Sequence, residues 1–231
     1  MENKSEYRKE IIKLLATKSV TKYATFDNTL EVFEQIKTYL KQLAVEAQKE
    51  LDDLGADIPV VYKEKGKFEI EFKIAGDLLI FYMHSNIFEF PKSHHVWQQS
   101  YVQEDPTRAY CGSISVYNFL ADSFKYNRVN DVGYLVSRLF VNKDNNFLLE
   151  GKHKLGFVFN NFAVQKIDAK SISKIVDSAL KYSIELDLLV PPFNLVRNIS
   201  VFEMQNITSS VSLKTGKRLG FNYKASGVRP K

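Results

Sequence analysis

The segment KFEIEFKIAGDLLIFYMH, residues 67–84, decides the fold. Phe68, Ile70, Phe72 and Ile74 alternate with Glu69, Glu71 and Lys73, the period of a strand with one buried and one wet face. Gly76-Asp77 supplies a turn signal, and LLIFYMH reads as the returning, more apolar partner strand. Two strands joined by so short a turn must run antiparallel.

The same pattern extends towards the C-terminus. YCGSISVYNFL, residues 110–120, predicts another strand. GYLVSRLFVNKDNNFLLEGKH predicts a hairpin in which the polar cluster Asn142–Asn146 separates two apolar runs. LGFVFNNF, residues 155–162, offers one more strand.

On either side the period is 3.6. Residues 5–17 predict a short helix with Ile11, Ile12, Leu14 and Leu15 on its buried side. A second, longer helix is expected to start at Asn28, which with Glu31 makes a capping box. Leu30, Phe33, Leu40, Leu43, Ala47 and Leu51 form its apolar face, and Gly55 its stop. After the strands, Asp168 can cap a helix whose face is Ile172, Ile175, Val176, Ala179, Leu180 and Ile184. Pro191-Pro192 ends it, since neither proline has an N–H to donate. FNLVRNISVFEMQNI predicts a last helix through Leu195, Ile199 and Phe202.

Helices, then a run of adjacent strands, then helices give an α+β class: an antiparallel sheet of about five to seven strands with helices over one face. One domain is expected over residues 1–207, with N-terminal helices at 5–54, strands at about 60–160 and C-terminal helices at about 169–207. Residues 208–231 form a basic tail, either flexible or a final edge strand.

The composition is ordinary for a soluble chain: 231 residues, 45% hydrophobic and 26% charged, with 17 Phe and 12 Tyr to fill a core. A single Cys excludes an intramolecular disulfide and suits a reducing compartment. MENKSEYRKEIIKLL has no long apolar run, so it does not read as a secretory signal, and no apolar stretch approaches the roughly 20 residues of a membrane span. A cytoplasmic location is the expectation. Of 32 basic residues, six lie between Thr208 and Lys231 with no acid among them, leaving 26 against 27 acids in residues 1–207. The net charge of +5 therefore belongs to the tail and says nothing about a basic face on the body.

Chemistry-bearing side chains concentrate in EFPKSHHVWQQSYVQEDPTRAYCG, residues 89–112. It holds the only Trp (Trp97), the only Cys (Cys111) and His94 and His95, with His84 just upstream. A metal site would need three or four such groups within about 2.0–2.3 Å of one ion. His94 and His95 are adjacent and diverge, leaving His84 with one of them, plus Cys111 or Asp105. There is no HExxH or CxxC spacing to support this. Cys111 as a nucleophile with a His base is a second reading. A lone Cys at the start of a strand is more often a small buried apolar residue. The third reading is a long connection anchored by Val96, Trp97 and Tyr101, with a turn at Asp105-Pro106. Connections this long often contact ligands. His94, His95, Trp97, Tyr101 and Arg108 are its candidate contact residues.

Glu71-Phe72-Lys73 with Asp57 supplies the residue types that a Mg²⁺-dependent nuclease would use, where carboxylates hold the ion while a lysine stabilises the attacking water. Glu46 or Glu50 would supply a further ligand. Glu-x-Lys is also common on wet strand faces. In the tail, Lys214, Lys217, Arg218 and Lys224 are interleaved with Phe221 and Tyr223, so charge and ring stacking could serve a nucleic acid. Acidic proteins or an anionic membrane surface would satisfy the same charges.

These readings lead to a non-enzymatic binding, regulatory or adaptor module, contacting a protein or small molecule through residues 84–110 and a nucleic acid or other partner through the tail. No cofactor is expected. The enzymatic alternative is a metal-dependent nuclease at Asp57, Glu71 and Lys73, or a hydrolase at His84, His94, His95 and Cys111.

Overall fold

The computed structural model describes residues 2–151, 161–187, 190, 192–202 and 204. Among the described residues seven strands form one sheet: β1 (Val60–Glu64), β2 (Glu69–Ile74), β3 (Asp77–Met83), β4 (Phe88–Glu89), β5 (Tyr110–Leu120), β6 (Tyr134–Asn142) and β7 (Phe147–Gly151). Their order is β1-β2-β3-β5-β6-β7, with the short β4 also on β5, and every pairing is antiparallel. The fold is α+β, as the alternation around residues 67–84 requires. The β2–β3 turn falls one residue earlier than Gly76-Asp77: Ile74 pairs with Asp77, leaving Ala75 and Gly76 as the turn, with Ala75 at φ +50°.

The N-terminal helices differ most from expectation. α1 (Glu2–Leu14) passes through a π turn, Leu15–Ser19, into α2 (Val20–Asp53) without a break. No Gly or Pro interrupts residues 2–54, so nothing stops propagation. Asn28 therefore lies within α2, not at its cap, and its amide donates to the carbonyls of Asn142 at 3.2 Å and Lys143 at 2.8 Å. Ile11, Ile12, Leu14 and Leu15, expected to be buried, are all more than half exposed, because α1 extends beyond the core. Gly55, at φ +68°, ends α2, with Gly55 and Ala56 N–H groups closing on the carbonyls of Asp52 and Leu51.

Two short helices, α3 (Ser100–Glu104) and α4 (Ala121–Lys125), flank β5, while α2 and α5 (Ala169–Ile184) cover one sheet face. Ile70, Phe72, Leu79, Phe81, Met83, Ile114, Val116, Leu139, Val141, Phe147 and Leu149 meet Val32, Phe33, Ile36 and Leu40 of α2 and Ile172, Ile175, Val176 and Ala179 of α5. α5 is capped as expected, with Asp168 accepting from Ser171 N–H at 2.7 Å. Thr25 and Thr29 are fully buried on α2. Each returns its hydroxyl to the carbonyl four residues earlier, at 2.8 and 2.6 Å, which satisfies it inside an apolar layer. Opposite them on β5 stands Gly112, where an added Cβ would lie 2.1 Å from the Thr29 hydroxyl.

The final helix is interrupted where its periodicity suggests one run. α6 spans Phe193–Val196, residues 197–200 are not helical, Val201, Phe202 and Met204 are helical again, and Ile199 and Phe202 are exposed. Asn198 and Ser200, whose side chains compete for backbone hydrogen bonds, interrupt the run. The strand expected within 155–162 lies almost wholly outside the described residues, and the tail from 208 lies entirely outside them. Among the described residues no helix is long and apolar enough to cross a membrane.

Candidate functional site

The connection from β3 to β5 folds over the other sheet face and builds a second, smaller core. Phe90, Val96, Val102, Ala109 and Cys111 pack with Phe140, Leu148 and Phe162. A 3-10 turn at His95–Gln98, a short helix α3 (Ser100–Glu104) and a second 3-10 turn at Pro106–Ala109 carry the chain. The expected turn at Asp105-Pro106 is the start of that last element. Asp105 accepts from the N–H and hydroxyl of Thr107, and Pro106 occupies the first position, where no N–H is needed.

Most of the candidate contact residues hold this connection in place. The Trp97 indole N–H donates to the Phe90 carbonyl at 3.0 Å, and the Lys92 ammonium lies 3.3 Å from the ring centre. Tyr101 donates to Asp144 at 2.8 Å. Arg108 reaches the same carboxylate at 3.0 Å and the Tyr101 carbonyl at 2.8 Å, with its guanidinium over the Tyr101 ring. Lys143 pairs with Asp105. Burial alone would raise the Asp105 carboxyl, but hydrogen bonds from Lys143 and Thr107 bring it down to about 2. The β6–β7 turn at Lys143 and Asp144 thus latches the connection onto the sheet.

His94 and His84 are placed differently. Both line a cavity of about 450 Å³ on the sheet face beside the second core. Its floor is β5, where Ser113 and Ser115 point away from the helices. By register, Tyr82, Ser115, Arg138 and Glu150 form one row across β3, β5, β6 and β7. Arg138 donates to a single oxygen of Glu150, from Nε at 3.0 Å and Nη2 at 2.6 Å. His94 stacks on Phe90 with ring centres 4.5 Å apart and caps the 3-10 turn through Nδ1. Its Nε2 stands 3.7 Å from the other Glu150 oxygen, too long for a hydrogen bond. Burial lowers the His94 pKa and the neighbouring His95 ring lowers it further; Glu150 opposes both without reversing the shift. His94 is therefore uncharged at neutral pH. His84 accepts from Asn86 N–H and packs edge-on against Phe88, and His95 is exposed with its ring tilted against His94.

Cys111 sits at the back of this cavity, 1% exposed, and burial pushes its thiol well above the ordinary range, so a thiolate is disfavoured there. Glu71 and Lys73 line a separate cavity of about 520 Å³ with Lys63, Asp122 and Lys125, and Glu71 pairs with Lys65 at 3.2 Å. Asp57 precedes β1, whose Val61 pairs with Lys73, so it lies beyond the strand end and does not line that cavity. Glu46 and Glu50 lie on α2, which packs against the opposite sheet face, and do not line it either. Among the described residues no group of three or more His, Cys, Asp or Glu side chains is placed to hold a metal ion.

The residues that sequence reasoning missed are Ser113, Ser115, Arg138 and Glu150. A signal was available: Cys111, Ser113, Ser115 and Tyr117 occupy one face of a strand whose other face is Gly112, Ile114 and Val116. Small polar residues at every second position of a central strand mark a face that nothing large packs against.

Fold and site define a class in structural terms: a helix-backed antiparallel sheet whose opposite face is partly roofed by a structured connection above a polar-floored cavity. Comparison with protein-family models, with curated proteins and with solved structures finds no match to this chain.

Proposed function

We propose that the protein is a non-enzymatic binding module, regulatory or adaptor in kind, whose ligand occupies the cavity between β5 and the 84–110 connection. The observation that supports this reading is the cavity's composition. Apolar and aromatic walls from Phe88, Phe90 and Phe140 surround a few convergent polar groups, at a volume ordinary for small-molecule sites. A fully structured connection of this length is also costly to order unless it does something.

The test is an NMR fragment screen on ¹⁵N-labelled full chain, repeated on Ser115→Leu, which fills the floor. Expected are hits that shift the amides of Ser113, Ser115, Phe90 and Arg138 and disappear in the variant, while Glu71→Ala/Lys73→Ala changes nothing. Hits indifferent to Ser115→Leu would sink the reading. So would Mg²⁺-dependent nuclease activity lost with Glu71→Ala.

A further inference from the structure

We propose that this cavity takes an uncharged planar heterocycle with hydrogen-bond donors and acceptors along its edge, a nucleobase or nucleoside. The inference rests on the cavity being the binding site and adds the chemistry of what fills it.

The floor comes first. Ser113 and Ser115 are only 7% and 8% exposed as residues, and both line the cavity. Neither hydroxyl oxygen is among the fully enclosed polar atoms that lack a partner, so both face the cavity space, where each can donate and accept. Two residues apart on one strand, they present these groups about 7 Å from one another. A small ring system with polar edges spans that distance.

The wall sets the charge. Arg138 and Glu150 neutralise one another, as do Lys92 and Glu89 at the rim, and His94 is uncharged. A carboxylate or an ammonium entering here would find no unbalanced counter-charge. Both Arg138 bonds go to Oε2, which leaves Arg138 Nη1 without a hydrogen bond among the described residues and Glu150 Oε1 facing only His94 Nε2, at 3.7 Å. Adjacent donor and acceptor complement the adjacent acceptor and donor on a base edge, the logic by which arginine and carboxylate side chains read bases.

The mouth supplies apolar faces. Tyr82, Phe88 and Tyr117 come from three different strands, and all three line the cavity while remaining more than a third exposed. Half-exposed rings around a polar floor suit a ligand with flat apolar faces, since every base has a π-face to stack.

The experiment follows amide shifts of the full chain on titration with adenosine, guanosine, cytidine and uridine. Benzoate, benzylammonium and glucose serve as charged and non-planar controls. Expected is saturable binding by at least one nucleoside, confined to Ser113, Ser115, Arg138 and their neighbours. Ser115→Val should weaken it at least tenfold with an unchanged thermal transition; should that variant not fold, Ser113→Ala replaces it. A short single-stranded DNA that shifts the same amides at lower concentration assigns the base to a polymer, and its failure assigns it to a free nucleoside. Benzoate, benzylammonium or glucose shifting these amides while the nucleosides do not overturns the ligand class and leaves the cavity as the binding site. Silence from every probe overturns the class, and the fragment screen then decides the cavity itself.

Discussion

Gly112 and Ser113 are neighbours on β5 and belong to opposite faces of one sheet. On the side of Gly112 two helices press on the strands so closely that a methyl group would collide with Thr29. On the side of Ser113 the covering is a connection with its own small core, and it stops short, leaving the hydroxyl over a cavity. The first face is filled by side chains that no other arrangement would bury. The second is held by a latch of polar contacts at its edge. The difference teaches which half of the molecule carries stability and which half is available for binding.

The sharpest way to break that comparison is to substitute the two neighbours. Gly112→Ala forces a Cβ against α2 where both backbone and the Thr29 side chain are fixed, and overpacking of this kind costs about 3 kcal/mol. Ser113→Ala removes a hydroxyl that bonds to nothing described, and its expected cost is within about 0.5 kcal/mol. Urea unfolding of both variants measures this directly. Equal losses would mean that the two faces are packed alike.

The latch is the next target. Asp144 receives both Tyr101 and Arg108, so Asp144→Ala removes the acceptor shared by a part-buried guanidinium and a phenol, leaving Arg108 with the Tyr101 carbonyl and Glu104. Breaking such a part-buried set should cost about 2 kcal/mol. The loss should be local: hydrogen exchange of amides 95–109 accelerates, while that of β2 and β3 does not. Uniform acceleration across the sheet would make the connection part of the main folding unit.

How much of this was legible in the sequence follows the same division. The helix-covered face announces itself, because burial on one side imposes alternation on β2 and a 3.6 period on α5, both local patterns. Asn28 shows the limit of local patterns. With Glu31 it spells a capping box, yet its partners are carbonyls at Asn142 and Lys143, more than a hundred residues away. The apolar stripe of α1 reveals periodicity without revealing that no described residue buries it. At the cavity, His84 and His94 stand out by residue type. Ser115, Arg138 and Glu150 become a row only through the register of three strands, which no single segment encodes. Trp97, Tyr101 and Arg108 drew notice for their chemistry, but their partners decide that they anchor the roof.

The smallest expected effect concerns acid, and two of the groups involved, Asp105 and His94, belong to the latched side. Asp105 has an ordinary pKa of 3.8 and is held at about 2 in the fold. The unfolded chain therefore takes up its proton first as pH falls. The stabilisation is complete above 3.8 and is lost as pH drops through 3.8 towards 2. With a third of the Asp105 side chain exposed, it amounts to about 1 kcal/mol. His94 obeys the same sign, since its folded value lies below the ordinary 6.5. Its contribution is present above 6.5 and is lost as pH falls through the lowered value. Unfolding measured from pH 8 to pH 2 should thus show a loss at each of these groups on acidification, with the lowered carboxyl of Asp168 at the α5 cap adding to the lower one. His94→Asn, which keeps a side-chain acceptor for the turn, removes the upper loss, and Asp105→Asn removes its own share of the lower. An Asp105→Asn profile that parallels the wild type below pH 4 would show that the Lys143 pair contributes nothing. The latch would then rest on Asp144 alone.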